Sequence, residues 1–180
     1  HMWGQATGYL GETFGEFVFN TGMTGYQEVL TDPSYWGQIV VMTYPEVGIY
    51  GVNPDDVESA GIQVSGFVVH RAVPTPFNHR ASLSFTDYLV DAGIVAIEGV
   101  DTRALTRHLR THGAMRGAIS SVDLDPARLV ERVKQQPEMS GANLAAKVTP
   151  REPITGLGCA NGGKHVVMVD SGVKGGIIRE

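Results

Sequence analysis

The chain has 180 residues, of which 42% are hydrophobic and 18% are charged. This size and composition fit one globular domain, or one domain with part of a second, and exclude a largely disordered chain. Lysine and arginine number 14 against 19 acidic residues, a formal net charge of −5. Since no long basic block occurs, the sequence predicts neither nucleic-acid nor anionic-membrane binding.

The sequence lacks a membrane-spanning run, a signal peptide and a disulfide framework, and these three features indicate the compartment. No apolar run approaches the roughly 20 residues that cross a bilayer. No charged flank followed by an apolar core marks a signal peptide, and His1-Met2 has the pattern of a cleaved expression tag. The single cysteine, Cys159, excludes an internal disulfide framework. We therefore expect a soluble, cytoplasmic protein.

The predicted elements begin with a strand over residues 16–20, and a short helix over 26–30 follows it. Two further apolar runs, 38–43 and 62–70, are rich in β-branched residues and are bounded by glycine or turn residues, which favours strands. Glycines and prolines punctuate these runs throughout. This texture is typical of a mixed α/β domain.

Helix signals dominate the next part of the chain. Ser84 caps a predicted helix that ends at Gly93, and Asp101 caps a second one that ends at Gly113. Pro126 lies in the first turn of a third helix, where its missing N–H costs nothing. The strands predicted between these helices are 94–97 and 116–120.

The composition changes after residue 148. Residues 149–164 are rich in proline, glycine and small polar side chains, which predicts a linker. An apolar run over 165–170 predicts a buried parallel strand, and a glycine turn and a helix start follow, as at the beginning of a doubly wound domain. We divide the chain into a domain over 3–148, this linker, and an incomplete second domain over 165–180. Without neighbouring strands to bury 166–169, this incomplete domain should be mobile, pair with another chain or pack on the first domain.

One segment carries the strongest functional signal. Residues 20–35 read Asn-Thr-Gly-Met-Thr-Gly-Tyr-Gln-Glu-Val-Leu-Thr-Asp-Pro-Ser-Tyr. This order predicts a strand that leaves into a glycine-flexed turn, a short helix, and an Asp-Pro turn that presents the Ser34 hydroxyl outward. From the residue types alone, a structural loop that satisfies its own backbone remains the alternative.

The segment closely resembles the signature of the small, glutamine-hydrolysing subunit of carbamoyl phosphate synthetase. The resemblance covers most of residues 3–148, and 166–179 resembles the opening of that subunit's amidotransferase domain. It also implies that a further strand belongs before Trp3. The matching stretches are Gln38-Ile-Val, Thr43-Tyr-Pro, Gly48, Gly51-Val-Asn53, Ile94-Val-Ala-Ile, Asp101-Thr-Arg-Ala-Leu-Thr-Arg-His-Leu-Arg110, Gly113 and Gly117.

The resemblance implies a three-layer β/β/α domain of the swivelling type, followed by a truncated flavodoxin-like amidotransferase domain. It implies a small subunit that hydrolyses L-glutamine and passes ammonia to a large synthetase subunit, which makes carbamoyl phosphate from bicarbonate and ATP for arginine and pyrimidine synthesis. The large subunit is the expected partner. ATP and the magnesium and potassium ions belong to that subunit, so no cofactor is expected in this chain.

The resemblance also assigns two substrate-binding residues, Ser34 and Lys174. The serine would reach across the domain boundary to the bound glutamine, using its hydroxyl and an adjacent N–H. The catalytic residues are missing, because the Cys-Gly-x-Cys-x-Gly setting of a class I amidotransferase nucleophile does not occur. Cys159 lies in the predicted linker without a nearby base, so we interpret it as a spectator thiol. The fragment is therefore expected to act as a scaffold and interface and to be inactive alone.

Other patterns carry weaker hypotheses. Gly158, Gly163 and Lys164 have P-loop spacing, but they precede a strand and lack the hydroxyl residue that binds magnesium, so we reject a phosphate site. His108 and His112 have the spacing of two helical metal ligands without a third, which favours a solvated face and no metal site. Two rival functions stay open: a free-standing enzyme that uses a serine or cysteine nucleophile, and a stand-alone binding domain.

Overall fold

The computed structural model describes residues 1–155, 164 and 166–179. Within these residues the chain is a mixed α/β fold, as predicted. The strands are β1 Gln5–Ala6, β2 Glu12–Asn20, β3 Gln38–Met42, β4 Glu46–Val47, β5 Gly66–Val68, β6 Arg71–Ala72, β7 Val95–Glu98 and β8 Met115–Ser120. The helices are α1 Tyr26–Thr31, α2 Phe85–Asp91, α3 Thr102–His112, α4 Pro126–Lys134, α5 Ala145–Val148 and α6 Gly175–Arg179, with one-turn 3-10 helices at Pro33–Tyr35 and Pro54–Asp56.

Six strands form one sheet in the order β1-β7-β5-β3-β2-β8. The four central strands are mutually parallel, whereas β1 and β8 run antiparallel at the two edges. The sheet curls, so that β7 and β8 approach each other although neither is the other's neighbour in the sheet. Strands β4 and β6 form a separate parallel pair. Helix α1 and the 3-10 turn after it follow the carboxyl end of β2 in the chain.

Strand β3 separates the two hydrophobic cores. Ile39 and Val41 lie in one core, and Val40 and Met42 lie in the other, because successive side chains of a strand point to opposite faces. All four side chains are at most 1% exposed. A strand buried on both faces reads as a continuous apolar run, which is why the sequence identified it.

Different layers cover the two faces of the sheet. Leu30 of α1, Leu89 of α2 and Val47 of β4 pack on one face with Phe67 of the sheet. Leu109 of α3 packs on the other face, with Leu105 one turn earlier, as the predicted apolar stripe requires. The sheet therefore has helices and a small β pair on one side and α3 on the other.

The predicted helix boundaries are confirmed by the caps. Ser84 and Asp101 each accept a hydrogen bond from the backbone three residues on, and Asp125 caps α4. Gly93 and Gly113 end their helices with positive φ, at 69° and 87°. These boundaries were legible because they depend on local hydrogen bonds.

Two strand predictions are wrong in part. The run 62–70 contains only the three-residue strand β5, Gly66–Val68, which pairs residue by residue with β3 and β7. On either side of it, Ser65 and Val69 each add one backbone hydrogen bond to those strands. In the run 165–170 the described residues 166–170 form no strand. Val166, Val167 and Val169 are at least 80% exposed, because no neighbouring strand offers them a ladder or a buried face. No helix among the described residues is long and apolar enough to cross a membrane.

Candidate functional site

The segment 20–35 joins the end of β2 to the start of β3. The Asn20 side chain ties its two ends together, since Oδ1 accepts from the Gly22 N–H at 2.7 Å and Nδ2 donates to the Tyr35 hydroxyl at 3.0 Å. Helix α1 begins after Gly25, which has a φ of 81°. Glycine accepts this left-handed conformation without steric cost, which explains the residue type.

Tyr50 supplies the cap that the glycine lacks. Its hydroxyl accepts from the N–H groups of Gly25 and Tyr26 at 2.7 and 3.2 Å, and its ring stacks on the Tyr26 ring with centroids 4.3 Å apart. The Tyr26 hydroxyl donates to the Gly51 carbonyl at 2.6 Å. Burial raises the pKa of Tyr26, so this hydroxyl stays protonated as a donor. The start of α1 is therefore fixed from outside the segment.

Ser34 follows Asp32 and Pro33 in a single 3-10 turn. Asp32 is buried and its Oδ1 accepts from the Ser34 N–H at 2.8 Å, while its carbonyl accepts from the Tyr35 N–H at 3.0 Å. Ser34 itself is exposed, as predicted. The adjacent N–H groups are thus used inside the turn, so the hydroxyl is the group of Ser34 that remains available to a ligand.

Lys174 lies beside the same turn. Its Nζ is 3.3 Å from Oδ2 of Asp32, whose side chain is only 10% exposed. The structure therefore brings the two predicted substrate-binding residues, Ser34 and Lys174, to the two oxygens of one carboxylate. Sequence reasoning did not single out Asp32, although Asp before Pro is a readable cap signal for the turn that carries Ser34.

A glycine turn lets the C-terminal segment approach this site. Gly172 has a φ of 105°, and a Cβ there would lie 2.6 Å from Val148 and 3.2 Å from Pro33. Oδ1 of Asp170 accepts from the N–H groups of Gly172 and Val173, both at 2.8 Å. Packing on the first part of the chain is one of the three outcomes expected for this region. It applies to 172–179, whereas 166–169 stay exposed.

A cavity of about 190 Å³ flanks the start of the segment. Its walls include Met23, Tyr44, Ile49 and Tyr50, so the lining is largely apolar. It lies at the glycine turn rather than at Asp32. The exposed Ser34 turn does not line this cavity.

The remaining sequence hypotheses fall outside the site. Cys159, Gly158 and Gly163 lie outside the described residues. His108 and His112 are exposed on α3 with ring centroids 4.3 Å apart. Across residues 1–155, 164 and 166–179, no group of three His, Cys, Asp or Glu side chains could hold a metal ion.

Comparison with known proteins identifies the family. The chain matches the sequence model of the carbamoyl-phosphate synthase small chain, CPSase domain, over residues 1–119. It is 66% identical over 179 residues to a carbamoyl phosphate synthase small chain of Thermotoga maritima, with 99% of this chain and 45% of that protein covered.

Further relatives carry the same name. The small chain of Nitratidesulfovibrio vulgaris strain Hildenborough is 52% identical, with 94% of this chain and 49% of that protein covered. The small chain of Aquifex aeolicus is 46% identical, with 98% and 50% covered. The chain thus spans about half the length of the curated relatives it matches. By these matches, the protein belongs to the carbamoyl-phosphate synthase small chain family.

Proposed function

We propose that this chain is part of the small subunit of a glutamine-dependent carbamoyl phosphate synthetase. Residues 3–148 form the domain that contacts the large synthetase subunit, 149–164 form a linker, and 165–180 begin the amidotransferase domain. The layering of the β4–β6 pair, the main sheet and α3 supports a three-layer swivelling-type fold for the first domain. The apolar run and glycine turn after 165 support a flavodoxin-like start for the second.

In this proposal the whole subunit hydrolyses L-glutamine in the cytoplasm and supplies ammonia to the large subunit. That subunit consumes bicarbonate and ATP and holds the metal ions. The product, carbamoyl phosphate, serves arginine and pyrimidine synthesis. This chain contributes scaffold and interface surfaces together with glutamine-binding groups, and it has no glutaminase activity alone because the nucleophile motif is absent from its sequence.

The observation that carries the proposal is the meeting of Ser34 and Lys174 at Asp32. The buried carboxylate orients the serine turn through the Ser34 N–H and holds the Lys174 ammonium 3.3 Å away. A polar hydroxyl on a turn fixed in this way is preorganised to hydrogen-bond a substrate at the junction of the two parts of the chain. The amide or carboxylate of glutamine provides suitable partners.

The test uses the full-length small subunit assembled with its large subunit. Ser34→Ala removes one hydroxyl, so we expect the KM for glutamine to rise roughly 3- to 10-fold, the range of one net hydrogen bond. Ser140→Ala, at another exposed serine, is the matched control and should leave KM unchanged. An unchanged KM in Ser34→Ala would contradict the assigned role of Ser34.

The scaffold role needs its own experiment. A glutaminase assay on the 180-residue chain should show only background release of glutamate. Release that exceeds background and survives Cys159→Ala would support a free-standing enzyme. Failure of the full-length small subunit to bind any large synthetase subunit would support a stand-alone binding domain instead.

A further inference from the structure

We propose that Glu58 is a positioning residue that holds the start of the C-terminal segment against the turn that carries Ser34. This inference rests on the proposed function, since it concerns the same glutamine site. Glu58 does not touch that site. It acts through the placement of residues 174–179, which contain Lys174.

The backbone of Glu58 is fixed to the end of α1. Its N–H donates to the Thr31 hydroxyl at 2.9 Å, and that hydroxyl donates to the Gln27 carbonyl at 2.9 Å. The neighbouring Ser59 hydroxyl donates to the Thr31 carbonyl at 2.6 Å. Thr31 directly precedes Asp32, so Glu58 and the Ser34 turn share one rigid support.

The same residue receives the C-terminal segment through three polar contacts. The Glu58 carbonyl accepts from the Gly175 N–H at 2.8 Å, and its Oε2 accepts from the Gly176 N–H at 2.7 Å. Its Oε1 accepts from Arg179 at 3.2 Å. Arg179 also donates to the Val57 carbonyl at 3.2 Å. The Gly176 contact joins residues 118 positions apart in the chain.

Close approach accounts for the glycines of this segment. A Cβ on Gly176 would lie 3.0 Å from Oε1 of Glu58, and a Cβ on Gly175 would lie 3.0 Å from the Arg179 guanidinium. Both distances are tighter than ordinary van der Waals contact. Two successive glycines therefore let the backbone reach the carboxylate, a use of glycine that does not depend on positive φ.

The bonds between the Glu58 side chain and residues 175–179 depend on the negative charge of the Glu58 carboxylate. The Glu58 side chain is 10% exposed, so its carboxylate depends on the two N–H groups and the guanidinium for compensation. The Glu28 carboxyl lies close enough to be influenced by both Glu58 and Arg179. Asp56 has a cation of its own, since Arg80 lies 3.5 Å from its carboxylate. Hydrogen bonds to a charged acceptor are stronger and shorter than neutral ones.

Two carboxylates of the first part of the chain thus hold one short segment of the second. Asp32 holds Lys174, and Glu58 holds Gly175, Gly176 and Arg179. With only Asp32 in place, Lys174 could swing about a single ion pair. Glu58 removes that freedom, so the distance between the Lys174 ammonium and the Ser34 hydroxyl is set before substrate arrives.

The first test needs no catalytic activity. In the 180-residue chain, Glu58→Gln keeps the shape of the side chain but removes its charge, while Glu152→Gln does the same at an exposed position. We expect hydrogen–deuterium exchange at Gly175 and Gly176 to become about tenfold faster in Glu58→Gln, and to stay unchanged in Glu152→Gln. Unchanged exchange in Glu58→Gln would overturn the proposal.

The second test asks whether the contact positions the site. In the full-length subunit assembled with its large subunit, Glu58→Gln should raise the KM for glutamine several-fold with kcat retained, since it disturbs binding rather than chemistry. The effect should be smaller in a Ser34→Ala background, because both changes weaken one site. Faster exchange without a change in KM would show that Glu58 only stabilises the C-terminal segment, and it would contradict a positioning role at the glutamine site. Complete absence of glutaminase activity in the wild-type assembly would instead refute the proposed function.

Discussion

Gln27 and Asn53 close a pair of hydrogen bonds between helix α1 and the segment that leads to Glu58. Gln27 Nε2 donates to the Asn53 carbonyl at 2.6 Å, and the Asn53 N–H donates to Gln27 Oε1 at 2.9 Å. Asn53 in turn caps the 3-10 turn Pro54–Asp56 through its Oδ1. The buried Gln27 amide satisfies both the N–H and the carbonyl of Asn53, as a neighbouring strand would do in a sheet.

Replacing this amide should destabilise the fold. Gln27 is 1% exposed, so Gln27→Ala leaves the Asn53 N–H and carbonyl without partners in a buried place. We expect the free energy of unfolding to fall by about 1–3 kcal/mol for such a loss. Urea denaturation monitored by circular dichroism measures it. Gln135→Ala, at an exposed position at the end of α4, is the control and should change stability by less than about 0.5 kcal/mol.

Gly51 should tolerate no side chain. Its φ is 67°, and a Cβ would lie 2.7 Å from Ala81 and 2.8 Å from the Leu83 carbonyl. Gly51→Ala therefore combines backbone strain with a clash against backbone, and we expect a loss of about 1–3 kcal/mol. Gly61→Ala is the matched control, since nothing lies within 4 Å of a Cβ there. Equal melting temperatures for the two variants would contradict this account.

Glu28 should make stability depend on pH. Burial raises the pKa of its carboxyl above the usual 4.5, and the carboxylates of Asp56 and Glu58 add to the rise. A raised pKa means that the folded state binds the proton more tightly, so this contribution is present below pH 4.5 and is lost as pH rises through the folded-state pKa.

The corresponding variant is Glu28→Gln. It cannot ionise, so we expect it to be more stable than the wild type at pH 7.5 and to lose this advantage at pH 4.5. Urea titrations at the two values of pH measure the difference. A variant that is less stable than the wild type at pH 7.5 would show that the Glu28 charge is compensated in the folded protein.

Asp123 and Arg128 form the best-defined ion pair at the start of α4. Arg128 donates to both carboxylate oxygens, at 2.6 and 3.2 Å, and these bonds lower the pKa of Asp123 to about 2. Arg128→Gln should raise that pKa toward 3.8, as a carboxyl NMR titration would show. The ionised pair contributes above pH 3.8, and its contribution disappears as pH falls through 2. A control substitution, Arg103→Gln on α3, should leave the Asp123 titration unchanged.

The sequence predicted those parts of the fold that depend on local chemistry. The caps at Ser84 and Asp101 and the continuous apolar run of β3 were readable because each signal lies within a few residues. The strands β4 and β6 were missed, since each has two residues and no periodicity can be seen in so short a run.

The candidate site was only partly predictable for the same reason. Ser34 and its exposed hydroxyl followed from the Asp-Pro turn. Asp32 could have been found as the cap of that turn. Glu58 had no signal, because its partners in the C-terminal segment, including Gly176, lie more than a hundred positions away and only the folded chain brings them together. The apolar run 166–169 had the right composition for a strand, but a ladder requires a neighbour that composition cannot supply.

The pairing of β2 with β8 has a consequence for the order of events during synthesis. Residues 12–17 find their antiparallel partners in 115–120, so roughly a hundred residues must leave the ribosome before β2 gains its second neighbour. Long-range closure of this kind slows folding, because the chain loses entropy before the contact compensates it. A nascent chain arrested before Met115 should therefore leave one edge of β2 unpaired, and only a chain that extends past Ser120 can complete this part of the sheet.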